Sequence, residues 1–233
     1  MIERYTLYHG DCLDILPTLP RDYVVITDLP YGIDGSSGTI NRQRGKGNYS
    51  SYNDTKENLI KYIVPIVRFM IAHFKTVIFT PGNSNFMLYP QPDSFGAFYQ
   101  PASVGLQTFG NLDAQPIFYY GKNATKKNMG KQCSFQMTSK PDESIHPCRK
   151  PTKEWSQLIL NHTLPGQTII DPFMGSGTTG EIALKNDRFF VGAEIDLLPF
   201  LEAEQRIKNA VGEFVLTDKE KQTGQMALFG AQP

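Results

Sequence analysis

Two short motifs bring together residue types that chemistry needs. The first is Asp171-Pro172-Phe173-Met174-Gly175-Ser176-Gly177-Thr178-Thr179, an acid followed by a Gly-x-Gly turn. Gly175 and Gly177 can adopt positive φ and let a ligand approach the backbone where a side chain would block it. A helix opening just past the turn offers unpaired N–H groups to a carboxylate, and Asp171 can accept from an ammonium. The second motif is Thr27-Asp28-Leu29-Pro30-Tyr31-Gly32. An amino group on an aromatic ring is a poor nucleophile, because its lone pair is delocalised into the ring. Two acceptors drawing on its two N–H groups localise that pair, and Asp28 with the Leu29 carbonyl can supply them. Pro30 keeps Leu29 extended and fixes a turn that presents Tyr31, whose ring can stack on a flat ligand.

The flanking sequence says what must position these motifs. Tyr23-Val24-Val25-Ile26 reads as a buried strand ending at Asp28, and Gln167-Thr168-Ile169-Ile170 as another ending at Asp171. Glu181 to Lys185 reads as a helix after the glycines. Phe189 to Ala193 is the next strand and ends at Glu194, which lies 23 positions after Asp171. An acid there is placed to bind the two hydroxyls of a ribose, as in dinucleotide sites. Further strands are expected at Thr6-Leu7-Tyr8 and Thr76 to Phe79. Helices are expected over Leu59–Phe74, with Pro65 kinking or restarting the first, over Thr152–Asn161, and over Leu198–Ala210. Phe98-Tyr99, Val104–Phe109 and Pro116–Tyr120 suggest a small antiparallel group. Alternating strands and helices define an α/β fold, a doubly wound and mostly parallel sheet with loop insertions.

Composition sets the bounds. A chain of 233 residues buries a full core as one domain, here 1–212, followed by a polar tail over 213–233. Lys plus Arg (23) balance Asp plus Glu (23), so net charge alone gives no support for a nucleic-acid partner. The local balance does. Arg42, Arg44 and Lys46 fall in the segment 33–57, and Lys122, Lys126, Lys127 and Lys131 in 121–147; both basic runs are what a phosphate-contacting surface requires. The three cysteines form no C-x-x-C pair, which suits a reducing cytoplasm. The spacing of His146, Cys148 and Cys133 is poor for a metal site. No signal peptide is expected from Met1-Ile2-Glu3-Arg4, and Lys61, Pro65 and Arg68 break the most apolar window, so no membrane span is expected.

In this order the motifs resemble those of the amino-methylating DNA methyltransferases, in the permuted arrangement where the catalytic D-P-P-Y motif precedes the cofactor motif. The likeness runs from Gly10 to about Arg206. It implies an S-adenosylmethionine-dependent methyltransferase fold and no metal. It implies catalytic Asp28, Leu29, Pro30 and Tyr31, and a cofactor site of Asp11, Lys150, Asp171, Phe173, Gly175, Gly177, Thr178 and Glu194. The resemblance further implies double-stranded DNA as partner, read by 33–57 and 121–147, in a bacterial or phage-infected cell, with or without a restriction partner. A homodimer is compatible with it. Leu29 departs from the family's usual proline, keeping the carbonyl and adding an N–H. Asp at the first position leans towards adenine N6; cytosine N4, where serine is commoner, is the alternative, and a catalytically weak DNA- or clamp-binding protein is another. Taken singly, Asp28 is an ordinary turn residue, Tyr31 a packing residue, Asp11 a helix cap, and His73 and His162 structural groups at helix ends.

Beyond the last helix, Gln225, Leu228 and Phe229 stand in a segment too polar to fold alone. They resemble the Q-x-x-L-F peptide by which bacterial replication proteins dock on the sliding clamp.

Overall fold

The computed structural model describes residues 4–33, 53–99, 106–107, 110–111, 113–125, 131–137 and 152–212. Arg42, Arg44, Lys46, Lys126, Lys127, His146, Cys148, Lys150, Gln225, Leu228 and Phe229 lie outside these residues.

The strands are β1 (Tyr5–His9), β2 (Val24–Asp28), β3 (Thr76–Thr80), β4 (Ser94–Tyr99), β5 (Leu106–Gln107), β6 (Gly110–Asn111), β7 (Ala114–Gly121), β8 (Phe135–Gln136), β9 (Thr168–Asp171) and β10 (Phe189–Glu194). The helices are α1 (Lys56–Asn58), α2 (Val64–His73), α3 (Thr152–His162), α4 (Thr178–Lys185) and α5 (Leu197–Ala210). Eight strands form one sheet in the order β1-β10-β9-β2-β3-β7-β4-β8. From β1 to β3 every pairing is parallel; β7 runs antiparallel to both β3 and β4.

The parallel strands read as unbroken apolar runs because both faces are covered. Val25, Val77, Phe79, Ile170 and Val191 point to one face, where they meet Leu59, Ile63, Val67 and Met70 of the helical stretch between β2 and β3. Val24, Ile26, Ile78, Ile169 and Phe190 point to the other, against Trp155, Leu158 and Ile159 of α3, Ile182 and Ala183 of α4, and Ala203 and Ile207 of α5. Trp155 is buried, and its indole N–H donates to Thr179 Oγ1 at 3.0 Å, so the largest core side chain is also satisfied.

Of the two outcomes expected at Pro65, the helix restarts: a π-helical turn, Leu59–Ile63, joins α1 to α2, and α2 begins with Pro65 in its first turn. Proline has no N–H to donate and its ring would strike the carbonyl four residues back; the widened turn absorbs both problems. The antiparallel group expected over Phe98-Tyr99 and Pro116–Tyr120 forms as an extension of the main sheet, with β7 between β3 and β4; among the described residues β5 and β6 make a separate pair.

Candidate active site

Chain direction reverses its progress across the sheet between β9 and β2. From β9 the chain crosses through α4 to β10, and from β2 through α2 to β3, moving outward in opposite directions. In open α/β sheets, ligands bind outside the carboxyl ends of the strands at such a switch point. The pairing Val24↔Ile169 and Val25↔Ile170 places the ends of β2 and β9 side by side. Along that edge stand, in order, Asp11 just beyond β1 and the last residues of four strands, Glu194 of β10, Asp171 of β9, Asp28 of β2 and Thr80 of β3.

Glycine geometry divides the turn after β9 into two jobs. At Gly177 (φ +80°) a Cβ would lie 2.9 Å from Ala203 Cα, so its bareness lets α5 pack close. At Gly175 (φ +49°) a Cβ would meet nothing within 4 Å, so the turn is open there towards solvent. Glu194 pins the turn: its Oε2 accepts from Gly175 N–H at 3.0 Å and its Oε1 from Asp196 N–H at 2.9 Å. Burial pushes the Glu194 carboxyl up from its ordinary value. Arg206 of α5 closes the far side, donating to Thr178 Oγ1 at 2.7 Å and pairing with Glu181 at 3.6 Å.

Asp171 is buried, not facing solvent. Its Oδ1 accepts from Thr27 Oγ1 at 2.6 Å and Phe173 N–H at 3.2 Å, tying the turn to β2. Burial raises its carboxyl to about 6, against the help of the Thr179 and Thr27 hydroxyls. Between pH 4 and 6 the folded state therefore holds a proton that the unfolded chain has lost, and stability contributed at this residue falls as pH rises. A rise of that size corresponds to roughly 3 kcal/mol. His162, held down at about 4 by burial, acts in the opposite sense. Comparing the protein with Asp171→Asn by urea unfolding cancels the histidine, which both share. The stability difference, wild type minus variant, is expected to drop by about that amount from pH 4 to 7; a constant difference would refute the assignment.

The turn after β2 is clamped from several sides. Asp54 accepts from Gly32 N–H at 2.7 Å and Tyr31 N–H at 3.3 Å, while Asn85 donates to the carbonyls of Tyr31 and Gly32 at 2.8 and 2.9 Å. The N–H that Leu29 has and a proline lacks donates to Thr80 O at 3.4 Å, and the Leu29 side chain is buried in the core. Packing and that bond replace the constraint of the missing ring. Tyr31 lies against Gly82, where a Cβ would come within 2.7 Å of its ring. Its hydroxyl donates to Asp28 Oδ1 at 2.6 Å and receives a hydrogen bond from Gln115. Thr80 Oγ1 also donates to Asp28 Oδ1. Burial, then the Asp28 charge, push the Tyr31 phenol well above its ordinary value, so it stays a donor.

Asp11 is exposed and caps the short helix after it, accepting from Leu13 N–H at 2.9 Å. Gly10 N–H donates to Glu194 O at 2.9 Å, which brings Asp11 beside the end of β10. Lys122 and Lys131 are not brought to this edge. β7 runs antiparallel, so its end at Gly121 pairs with Thr76, the start of β3, and Lys122 N–H bonds Lys75 O at 2.8 Å. Lys131 stands near His162, at the end of α3 that leads back to the start of β9. Both lysines therefore sit one strand length, about 16 Å, from the carboxyl edge. Sequence reading missed Thr80, Asp54, Asn85, Gln115 and Arg206. The one available signal was Thr80-Pro81-Gly82, a polar residue and a turn closing a strand.

With this geometry in place, the fold is that of the S-adenosylmethionine-dependent methyltransferases. Residues 111–198, which hold the glycine turn and Glu194, match the family model of N6/N4 DNA methylases. Type II methyltransferase M2.MboI of Moraxella bovis is 24% identical over 88% of this chain and 87% of its own length. Type II methyltransferase M.BglII of Bacillus subtilis is 35% identical over 30% of this chain; the match spans only 20% of that relative. Among solved structures, the M1.HpyAVI–SAM complex superposes with a TM-score of 0.60 at 20% identity, covering 87% of this chain and 98% of that one. The cytosine-N4-specific PvuII DNA methyltransferase gives 0.63 at 14% identity, covering 98% and 94%. These findings support an amino-group DNA methyltransferase.

Proposed function

We propose that the protein transfers a methyl group from S-adenosylmethionine to an exocyclic amino group of a base in double-stranded DNA, adenine N6 in particular. One observation carries the reading: the acceptor turn after β2 and the open glycine turn after β9 flank the switch point on one edge of the sheet. The residues fit the cofactor. The opening at Gly175 takes backbone-close ligand, and a carboxylate offers about four lone-pair sites; the backbone N–H bonds from Gly175, Ile195 and Asp196 leave Glu194 capacity for a ribose hydroxyl. Asp11 and Phe173 are assigned to the same site from their motifs, Thr178 is fixed by Arg206, and Asp171 is tied to β2 beneath the turn. Lys150 is assigned to the pocket wall from its motif.

Bound S-adenosylmethionine would supply an activated methyl on its sulfonium, with the neutral thioether as leaving group. Asp28 and the Leu29 carbonyl accept from the two N–H groups of the target amine and turn its lone pair towards that methyl. One amine proton then leaves to Asp28 and on to water. Pro30 keeps the two acceptors in register, and Tyr31 stacks on the base, which must leave the duplex to be reached. Arg42, Arg44, Lys46, Lys126 and Lys127 are assigned to phosphates. Aspartate at position 28 favours adenine; the cytosine-N4 specificity of one structural neighbour, the PvuII enzyme, keeps that base as the rival. The test is transfer of tritium from labelled cofactor to mixed genomic DNA, followed by nucleoside analysis. N6-methyladenine is expected; label on cytosine N4 overturns the base assignment, and no label in DNA overturns the function.

The tail is assigned to the bacterial sliding clamp through Gln225, Leu228 and Phe229. Deleting residues 224–233 is expected to abolish clamp pull-down while leaving methylation in solution intact. Undiminished pull-down would remove the clamp from the proposal.

A further inference from the structure

We infer that Thr80, at the end of β3, is the positioning residue that sets both acceptors of the amine. The inference rests on the reading of Asp28 and Leu29 given above. Thr80 is completely buried and pairs with Asp28 in the parallel register of β2 and β3. Its hydroxyl donates to Asp28 Oδ1, and its backbone carbonyl accepts the Leu29 N–H at 3.4 Å. A single residue therefore touches the carboxylate directly and holds the peptide that carries the second acceptor.

The physical consequence is orientational. A carboxylate on a short stem rotates about its last bond unless something fixes its plane. Here the hydroxyls of Thr80 and Tyr31 converge on the same oxygen, from β3 and from the following turn. Tyr31 must also serve the base, and its own position depends on Gln115 from a third element. Thr80 has no base to serve, and its side chain reaches the Tyr31 hydroxyl as well as Asp28. Its β-branched side chain is stiff at χ1, and it sits at the end of a fully buried strand. Misplacing a reacting group by about 1 Å can cost on the order of a hundredfold in rate, so this bond belongs to turnover and not to ligand affinity.

The experiment compares wild type, Thr80→Val and Thr80→Ser in steady-state methyl transfer to mixed genomic DNA. It is combined with equilibrium binding of S-adenosylhomocysteine as a check on the fold. Thr80→Val keeps the shape and removes the hydroxyl; Thr80→Ser keeps the hydroxyl and removes the methyl. The expected result is a kcat reduced roughly tenfold to a hundredfold in Thr80→Val, KM for DNA and cofactor within about twofold, and kcat restored in Thr80→Ser. If Thr80→Val fails to bind the product, Thr80→Ala replaces it and is judged by the same outcomes. A hydroxyl-free variant that turns over like wild type overturns the inference, as does a serine variant as slow as the valine. An inactive wild type overturns the functional reading and this inference together, whereas an active one judges the inference alone.

Discussion

Asp28→Asn is expected to bind S-adenosylmethionine within a few-fold of wild type and to lose turnover by about 10²–10⁴-fold, the range removed with a positioned acid–base group. Asparagine still offers an oxygen to the Thr80 and Tyr31 hydroxyls, so the fold should survive the exchange. It loses the charge that draws on the amine proton and the ability to take that proton away. Asp28→Ala loses turnover too, and strands the Thr80 and Tyr31 hydroxyls at a cost of about 1–3 kcal/mol each. Comparing the two separates chemistry from stability. A fully active Asp28→Asn enzyme would remove the carboxylate from the mechanism, whatever the fold.

The second large effect contrasts two glycines that look equivalent in the sequence. Gly177→Ala drives a methyl to 2.9 Å from Ala203 Cα at a φ of +80°, so α4 and α5 must part. Strain at positive φ alone costs about 1–2 kcal/mol, and the overpacking adds about 1–3 kcal/mol. Gly175→Ala bears the smaller, strain-only cost, because its methyl meets nothing within 4 Å. That methyl projects where the cofactor is assigned, so affinity for S-adenosylmethionine is expected to fall at least tenfold. Urea melts and isothermal titration on both variants give the two numbers. Loss of stability at 175 with unaltered affinity would place the ligand elsewhere.

This contrast shows what the sequence discloses and what it conceals. The motifs at 28–31 and 171–178 are continuous, so their backbone demands and flanking apolar runs are written locally, and the strands and helices around them form within a few residues of expectation. The division of labour between Gly175 and Gly177 depends on where α5 lies, and nothing in a Gly-x-Gly turn encodes that. The same holds for Thr80, Asp54, Asn85 and Gln115, which reach the acceptor turn through tertiary contacts over separations of 22 to 84 positions. Asp171 reads as a ligand for an ammonium because it ends a strand before a glycine turn; only the sheet shows Thr27 beside it. The placement of Lys122 and Lys131 is hidden for a topological reason. Composition registers a basic run but not the antiparallel course of β7, which returns the chain to the amino edge of the sheet. Leu29 runs the other way: a departure from the family motif that looks costly in sequence is satisfied in the structure by Thr80 and by burial.

The proposed chemistry depends on one pocket formed by two strand ends. Its most direct test is a crystal structure of the protein with an unreactive S-adenosylmethionine analogue. The expected electron density has the ribose on Glu194, the amino-acid portion along residues 174–178, and the sulfonium-equivalent atom facing Asp28 and Leu29 across the switch point. An analogue bound at the amino edge of the sheet, or one whose methyl-bearing position faces away from Asp28, contradicts it.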